Sequence, residues 1–210
     1  MNRKLKPSYY QNPDVEFLAK DLLGKVLYTN KDGQVTAGLI TETEAYFGSD
    51  DKASHAFGNR RTARTGIMYG PGGFAYVYLC YGIHHLLNVV VSGSDDPKCV
   101  LIRAVEPYAG KDIIEERRKM PVTNTAVSSG PGSLSKALGI DGLINKKDLS
   151  ENEIWIEDIG KRYAPEEIAA VPRIGIAYAG EHAFLPLRFY LKSNKFVSKK
   201  IKNPSSDIDY

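Results

Sequence analysis

Glu42-Thr43-Glu44-Ala45-Tyr46 closes a strand-like run that begins near Val35. Side chains alternate across a strand, so the two acids and the tyrosine share one face. A carboxylate beside an aromatic platform is what an enzyme needs to hold a planar ring and hydrolyse a bond attached to it. Two surface carboxylates on an edge strand fit the same pattern, and so does the carboxylate pair of a glycosidase. The pentapeptide needs support from other residues.

Tyr76-Val77-Tyr78-Leu79-Cys80-Tyr81 alternates Tyr76, Tyr78 and Cys80 on one face with Val77, Leu79 and Tyr81 on the other. Gly82 comes next, which puts Tyr81 at a turn tip where its ring could wedge into a base stack. Between the two segments lie Asp50, Asp51, His55, Arg60, Arg61 and Arg64. Three arginines in so short a stretch form a local basic patch, the footprint of phosphate contacts. Cys80, His84, His85 and Cys99 raise the question of a metal. Adjacent strand histidines point to opposite faces and the ligand spacings of zinc sites are missing, so no metal and no cofactor is expected. Gly130-Pro131-Gly132-Ser133 before a helix offers backbone amides to a phosphate, which is weak evidence alone.

Several elements must position these residues. Asn12 and Pro13 read as the start of a helix whose stripe is Val15, Leu18, Ala19, Leu22 and Leu23, with Gly24 as its stop. Lys25–Thr29 and Val35–Tyr46 read as a hairpin around Asn30-Lys31-Asp32-Gly33. Residues 47–73 read as a long loop, succeeded by strands at Phe74–Tyr81, Leu86–Ser92 and Cys99–Val105. Helices are expected at Asp112–Lys119, Ser133–Leu138 and Pro165–Ala170, and short strands at Ile154–Glu157, Arg173–Tyr178 and Leu187–Leu191. The tail after Tyr190 is basic, and residues 204–210 are expected to be disordered. With neither repeats nor a linker, residues 1–203 make one α+β domain.

The chain has 210 residues, enough for a core without covalent staples, and 42% of them are hydrophobic. Its net charge of only +3 conceals the arginine patch. Thirteen tyrosines against seven phenylalanines suit rings that stay partly wet or stack on a ligand. The two cysteines sit in apolar runs and read as buried free thiols. No secretory signal and no apolar run of ~18 residues is present, so a soluble cytoplasmic protein is expected.

Taken in order, the segments resemble the alkyladenine (3-methyladenine) DNA glycosylase family. The resemblance runs through Leu22-Leu23-Gly24-Lys25, Glu42 to Tyr46, Asp51 to His55, Met68 to Gly72, Tyr76-Val77-Tyr78, Tyr81-Gly82, Asn88 and Leu101-Ile102-Arg103-Ala104. It continues in Gly130-Pro131-Gly132, Pro172-Arg173-Ile174-Gly175 and Leu187-Arg188-Phe189-Tyr190, covering nearly all of residues 15–200. It implies a compact, mostly antiparallel curved sheet, close to a partly open barrel, surrounded by helices. It also implies a monofunctional DNA glycosylase that rotates a damaged purine, alkylated or deaminated, out of duplex DNA.

By the same resemblance Glu44 activates a water, assisted by Arg103. Tyr46, His55 and Tyr78 enclose the base, and Asn88 screens out guanine. Tyr81 is the wedge, and Arg60, Thr62 and Arg64 contact the DNA backbone. Glu42 is left as a structural neighbour, so that Glu42→Gln is expected to keep most excision. The partner is double-stranded DNA, met by a monomer. Ile83-His84-His85-Leu86-Leu87 departs from the better-known eukaryotic members. The competing reading is a noncatalytic nucleic-acid binding module of the same fold.

Overall fold

The computed structural model describes residues 3–201, so the 204–210 tail and the end of the expected domain lie outside the described residues. A two-residue strand β1 (Arg3–Lys4) and a single helical turn α1 (Pro7–Tyr10) open the chain. Helix α2 (Val15–Asp21) starts later than the sequence suggests. Its N-cap is Asp14, whose carboxylate accepts the Phe17 N–H at 2.9 Å, while Asn12 braces the Asp14 N–H. Val15, Leu18 and Ala19 are its buried stripe, as the spacing predicts.

The hairpin forms as β2 (Val26–Lys31) and β3 (Gln34–Tyr46). Its turn is Asp32-Gly33, both at positive φ, the backbone that a two-residue hairpin loop demands. The chain continues through β4 (Ala75–Cys80), β5 (His84–Val91), β6 (Lys98–Ala109), α3 (Lys111–Arg118) and α4 (Pro131–Leu138). It ends in β7 (Ile154–Asp158), β8 (Ile168–Val171) and β9 (Arg188–Leu191). The sheet runs β1-β7-β2-β3-β6-β5-β4, every pairing antiparallel, and β9 joins β3 with β8 beyond it. This is one α+β domain around a large, curved, open antiparallel sheet. No described helix is long and apolar enough to cross a membrane.

Strand β3 is the spine. Its first half pairs with β2, whose register ends at Val26–Leu39; its last half pairs with β9 through Glu42, Thr43 and Glu44. The same last half pairs with β6 on its other side. Residues 36–45 are buried on both faces, which explains why the run lacks the polar-apolar alternation of a half-exposed strand. The β3–β6 register slips on either side of Glu42 and leaves Thr41 and Arg103 without ladder partners. Such irregularities re-aim side chains beside functional sites. Helix α2 packs across β3 and β6, and α4 across β5 and β6.

Three expectations change. Arg173–Tyr178 is not a strand, because the Ile174 N–H is committed to a side chain of β3 and a 3-10 segment runs from Ala177 to Phe184. The helix expected at Pro165–Ala170 is a 3-10 turn, Pro165–Glu167, that hands over to β8. The loop at 47–73 is packed, with 3-10 turns at Gly48–Asp50, Phe57–Asn59 and Gly66–Tyr69.

Gly38 shows how closely the spine is fitted: a Cβ there would fall on the Val105 side chain of β6. Gly38→Ala is therefore expected to destabilise the fold by about 1–3 kcal/mol, the usual cost of overpacking. Urea unfolding measures it, and an unchanged midpoint would rule out the close approach.

Candidate active site

The end of β3 opens into a cavity of about 450 Å³ whose walls come from segments spread between Glu44 and Tyr178. Glu44, Tyr46, His55, Tyr78, Asn88 and Arg103 all line it, and so does the exposed Tyr81 at its mouth. Residues far apart in sequence and expected to act together are therefore brought together. A smaller apolar cluster of Ala56, Met68, Tyr69, Tyr76, Val90 and Cys99 backs the aromatic side.

Glu44 is fully buried and every group shown bonded to it is a donor. Oε1 accepts the Ile174 N–H at 2.8 Å and lies 3.2 Å from an Arg103 terminal nitrogen; Oε2 accepts the Tyr46 hydroxyl at 2.8 Å. A carboxylate oxygen has two acceptor sites, so Oε2 keeps one beyond the phenol. Burial first, then Glu44, pushes the Tyr46 phenol well above its ordinary range and keeps it a donor. Burial works against the Arg103 charge, but Glu44 and Glu42 outweigh it and raise its pKa.

Glu42 faces the same cluster. Its Oε1 accepts Arg103 Nε at 2.9 Å and Arg188 Nη1 at 3.0 Å. Arg188, buried on β9, was legible only as part of a motif and carried no expected role. A second ion pair sits on the other flank. Arg173 grips Asp51 through two nitrogens at 2.6 and 2.9 Å, donates to the Ala45 carbonyl and lies 4.7 Å over the Tyr46 ring. Sequence reasoning missed this pair as well, since the partners are separated by 122 positions.

His55 stands edge-on to Tyr78, with ring centroids 4.6 Å apart, and its Nδ1 is 2.7 Å from the Tyr76 hydroxyl. Burial, then the charges of Arg64 and Arg60, pull its pKa down from 6.5 to about 4, so the ring is neutral at physiological pH. Its Nε2 is left as the remaining polar atom. Asn88 is buried, with its amide nitrogen 3.3 Å from the Tyr76 carbonyl oxygen. Cys99 is buried as expected, its thiol pushed up to about 12 by burial, whereas Cys80 is only half-buried and lines the cavity.

Tyr81 is 90% exposed and has φ +50 in a turn closed by the Ile83 N–H on the Cys80 carbonyl. Only glycine adopts such a backbone freely, so the ring is held outward at some local strain. Leu79, Ile83 and Tyr178 are exposed beside it or across the mouth; Tyr178 also lines the cavity and was not anticipated. In the basic loop Arg60, Thr62 and Arg64 are exposed, and Arg64 reaches the cavity. The Thr62 hydroxyl is paired with Thr65, which shapes the loop. Arg61 is set apart by its salt bridge to Asp95 and its stacking on Tyr69.

Fold and site together define a class: a single-domain protein with a buried, donor-ringed carboxylate in a tyrosine-walled cavity beside a cationic loop. The profile of the Methylpurine-DNA glycosylase (MPG) family matches residues 8–195. Similar proteins, each bearing the name "Putative 3-methyladenine DNA glycosylase", occur in several bacteria. The one from Chlamydia abortus is 46% identical, with 89% of this chain and 97% of that one covered. Those from Alkaliphilus oremlandii (43% identical; 94% and 100% covered) and Bacillus cereus (45%; 92% and 98% covered) are likewise similar to this chain. The chain belongs to the methylpurine-DNA glycosylase family.

The low pKa of His55 has a consequence for stability. It lies below the ordinary 6.5, so the unfolded chain binds the extra proton first as pH falls. The stability this contributes is complete above 6.5 and lost as pH drops through about 4. Thermal unfolding across that window is expected to show the wild type losing ground to His55→Gln at the acid end. A constant gap between the two would mean the ring is not held neutral.

Proposed function

We propose that this protein is a monofunctional DNA glycosylase that removes alkylated and deaminated purines from duplex DNA by hydrolysing the N-glycosidic bond. The observation that carries this reading is the Glu44 carboxylate, buried in the aromatic-walled cavity and 3.2 Å from Arg103. Glu44 takes a proton from a water that enters the cavity with the substrate, and the water oxygen bonds to the anomeric carbon. The bond to the base breaks and its electron pair leaves with the base. An alkylated purine that already carries positive charge departs as a neutral molecule. The carboxylate also offsets the positive charge that develops on the sugar. Among the described residues no lysine lines the cavity, so water rather than an amine is the nucleophile and an abasic site is the product.

Tyr46 and Tyr78 stack on the extruded ring, with His55 offering a hydrogen bond to its edge. Stacking is worth about 1–3 kcal/mol per base and tolerates many ring types, which suits several lesions. Asn88 crowds the exocyclic amine of guanine. Arg60, Thr62 and Arg64 meet phosphates, and Tyr81 fills the vacated stack. The protein works as a monomer in the cytoplasm, on the nucleoid.

Glu44→Gln is expected to cut single-turnover base release by ~10²–10⁴-fold while lesion binding persists. The assay uses duplexes containing 3-methyladenine, hypoxanthine or ethenoadenine. Wild-type protein that binds all three tightly yet releases no base would instead be a noncatalytic binder. Tyr81→Ala is expected to slow release chiefly from stably paired sites. An unchanged rate there would remove the wedge from the mechanism.

A further inference from the structure

The family match ends at residue 195, and the chain from Phe196 to Lys199 returns to the centre of the site. Phe196 and Val197 are buried, and the Phe196 carbonyl accepts the Thr41 hydroxyl at 2.5 Å. The Lys199 carbonyl accepts Arg188 Nη1 at 2.8 Å. Between these two anchors Ser198 is applied to Glu42 with both its donors. Its N–H reaches Oε2 at 2.6 Å and its hydroxyl reaches Oε1 at 2.8 Å. The same hydroxyl is 3.4 Å from Arg103 Nη2.

Arg103 is thereby held at every nitrogen: Nε on Glu42, one terminal nitrogen on Glu44 and the other on Ser198. A planar guanidinium with three fixed contacts has no freedom to turn. We propose that residues 196–199 form a strap that aims the Arg103 guanidinium at Glu44, with Ser198 and Glu42 as positioning residues for base excision. Neither touches the substrate: Glu42 and Ser198 are absent from the cavity lining. The proposal rests on the reading of Glu44 as base, and it replaces the expectation that Glu42 is a bystander.

Without the Ser198 hydroxyl, Arg103 Nη2 loses its partner and Glu42 keeps one strap donor instead of two. The carboxylate–guanidinium alignment then loosens, and small misplacements at a reacting centre cost up to ~100-fold. The groups that face Glu44 are Arg103 from β6, Tyr46 from β3 itself, the Ile174 amide and, farther along the cavity wall, Tyr178, with Glu42 and Arg188 behind Arg103 and Arg173 behind Tyr46. Of these, Ser198 bears on Arg103 and Glu42 alone.

The test is single-turnover release of hypoxanthine from duplex DNA by the full chain, across pH, with wild type, Ser198→Ala, Ser198→Thr and Glu44→Gln. Ser198→Ala is expected to release base roughly 10- to 100-fold more slowly with unchanged lesion affinity, and its acid limb to move to higher pH. Ser198→Thr, which keeps the hydroxyl, is expected to restore both. Thermal unfolding confirms that each variant is folded at the assay temperature. A folded Ser198→Ala at the wild-type rate with the wild-type pH profile overturns the strap. So does a Ser198→Thr as slow as the alanine variant. Wild type with no release at all would overturn the glycosylase reading itself, an outcome distinct from both.

Discussion

Two carboxylates and two guanidiniums are buried in one chain of ion pairs, Glu44 to Arg103 to Glu42 to Arg188, and the surrounding structure is organised around keeping them so. Removing charge from water costs several kcal/mol per ion, and mutual attraction repays that only when geometry is excellent and the remaining donors and acceptors are met. Here they are met by backbone and hydroxyl groups: the Ile174 and Ser198 amides, the Tyr46 and Ser198 hydroxyls and the Pro172 and Lys199 carbonyls. Well-packed apolar side chains would serve stability as well or better. Stability is therefore a weak account of the cluster.

The topology derives from that requirement. β3 brings the acids, β6 and β9 bring one arginine each on either side, and the strap after β9 returns to cover Glu42. The handover of β3 from β2 to β9 occurs at the acids, and the β3–β6 ladder slips at Thr41 and Arg103. A perfectly regular sheet would bury these residues as ordinary core. The irregularity keeps the sheet continuous while the guanidinium occupies its face.

How much of this could be read beforehand varied with the range of the interaction. Local signals served well: the α2 stripe, the hairpin at Asp32-Gly33, the helices beginning at Lys111 and Pro131, and the tyrosine strand ending in an exposed turn. The cavity lining was legible through motifs that keep order and spacing. What stayed hidden were pairings without local signature. Arg188 to Glu42, Arg173 to Asp51 and Ser198 to Glu42 span more than a hundred residues each. Arg173–Tyr178 looked like a strand because Ile174 and Ile176 alternate suitably. A tertiary bond from the Ile174 amide to Glu44 takes the donor that a ladder would need.

The cavity and its mouth differ in how they are held. Inside, the aromatic wall is fixed before any ligand arrives: Tyr46 is tied through its hydroxyl to Glu44 and through its ring to Arg173, which Asp51 locks in turn. Tyr76 does the same for His55. At the mouth the opposite holds, with Tyr81 exposed on a strained turn and Arg60 and Arg64 exposed on the adjacent loop. A rigid interior loses little freedom when a flat ring enters, so binding energy is not consumed in ordering the wall. The exposed ring and cations at the rim are not tied in this way. The neutrality of His55 belongs to this division: burial first, and then the charges of Arg64 and Arg60 on the adjacent loop, keep the imidazole uncharged inside.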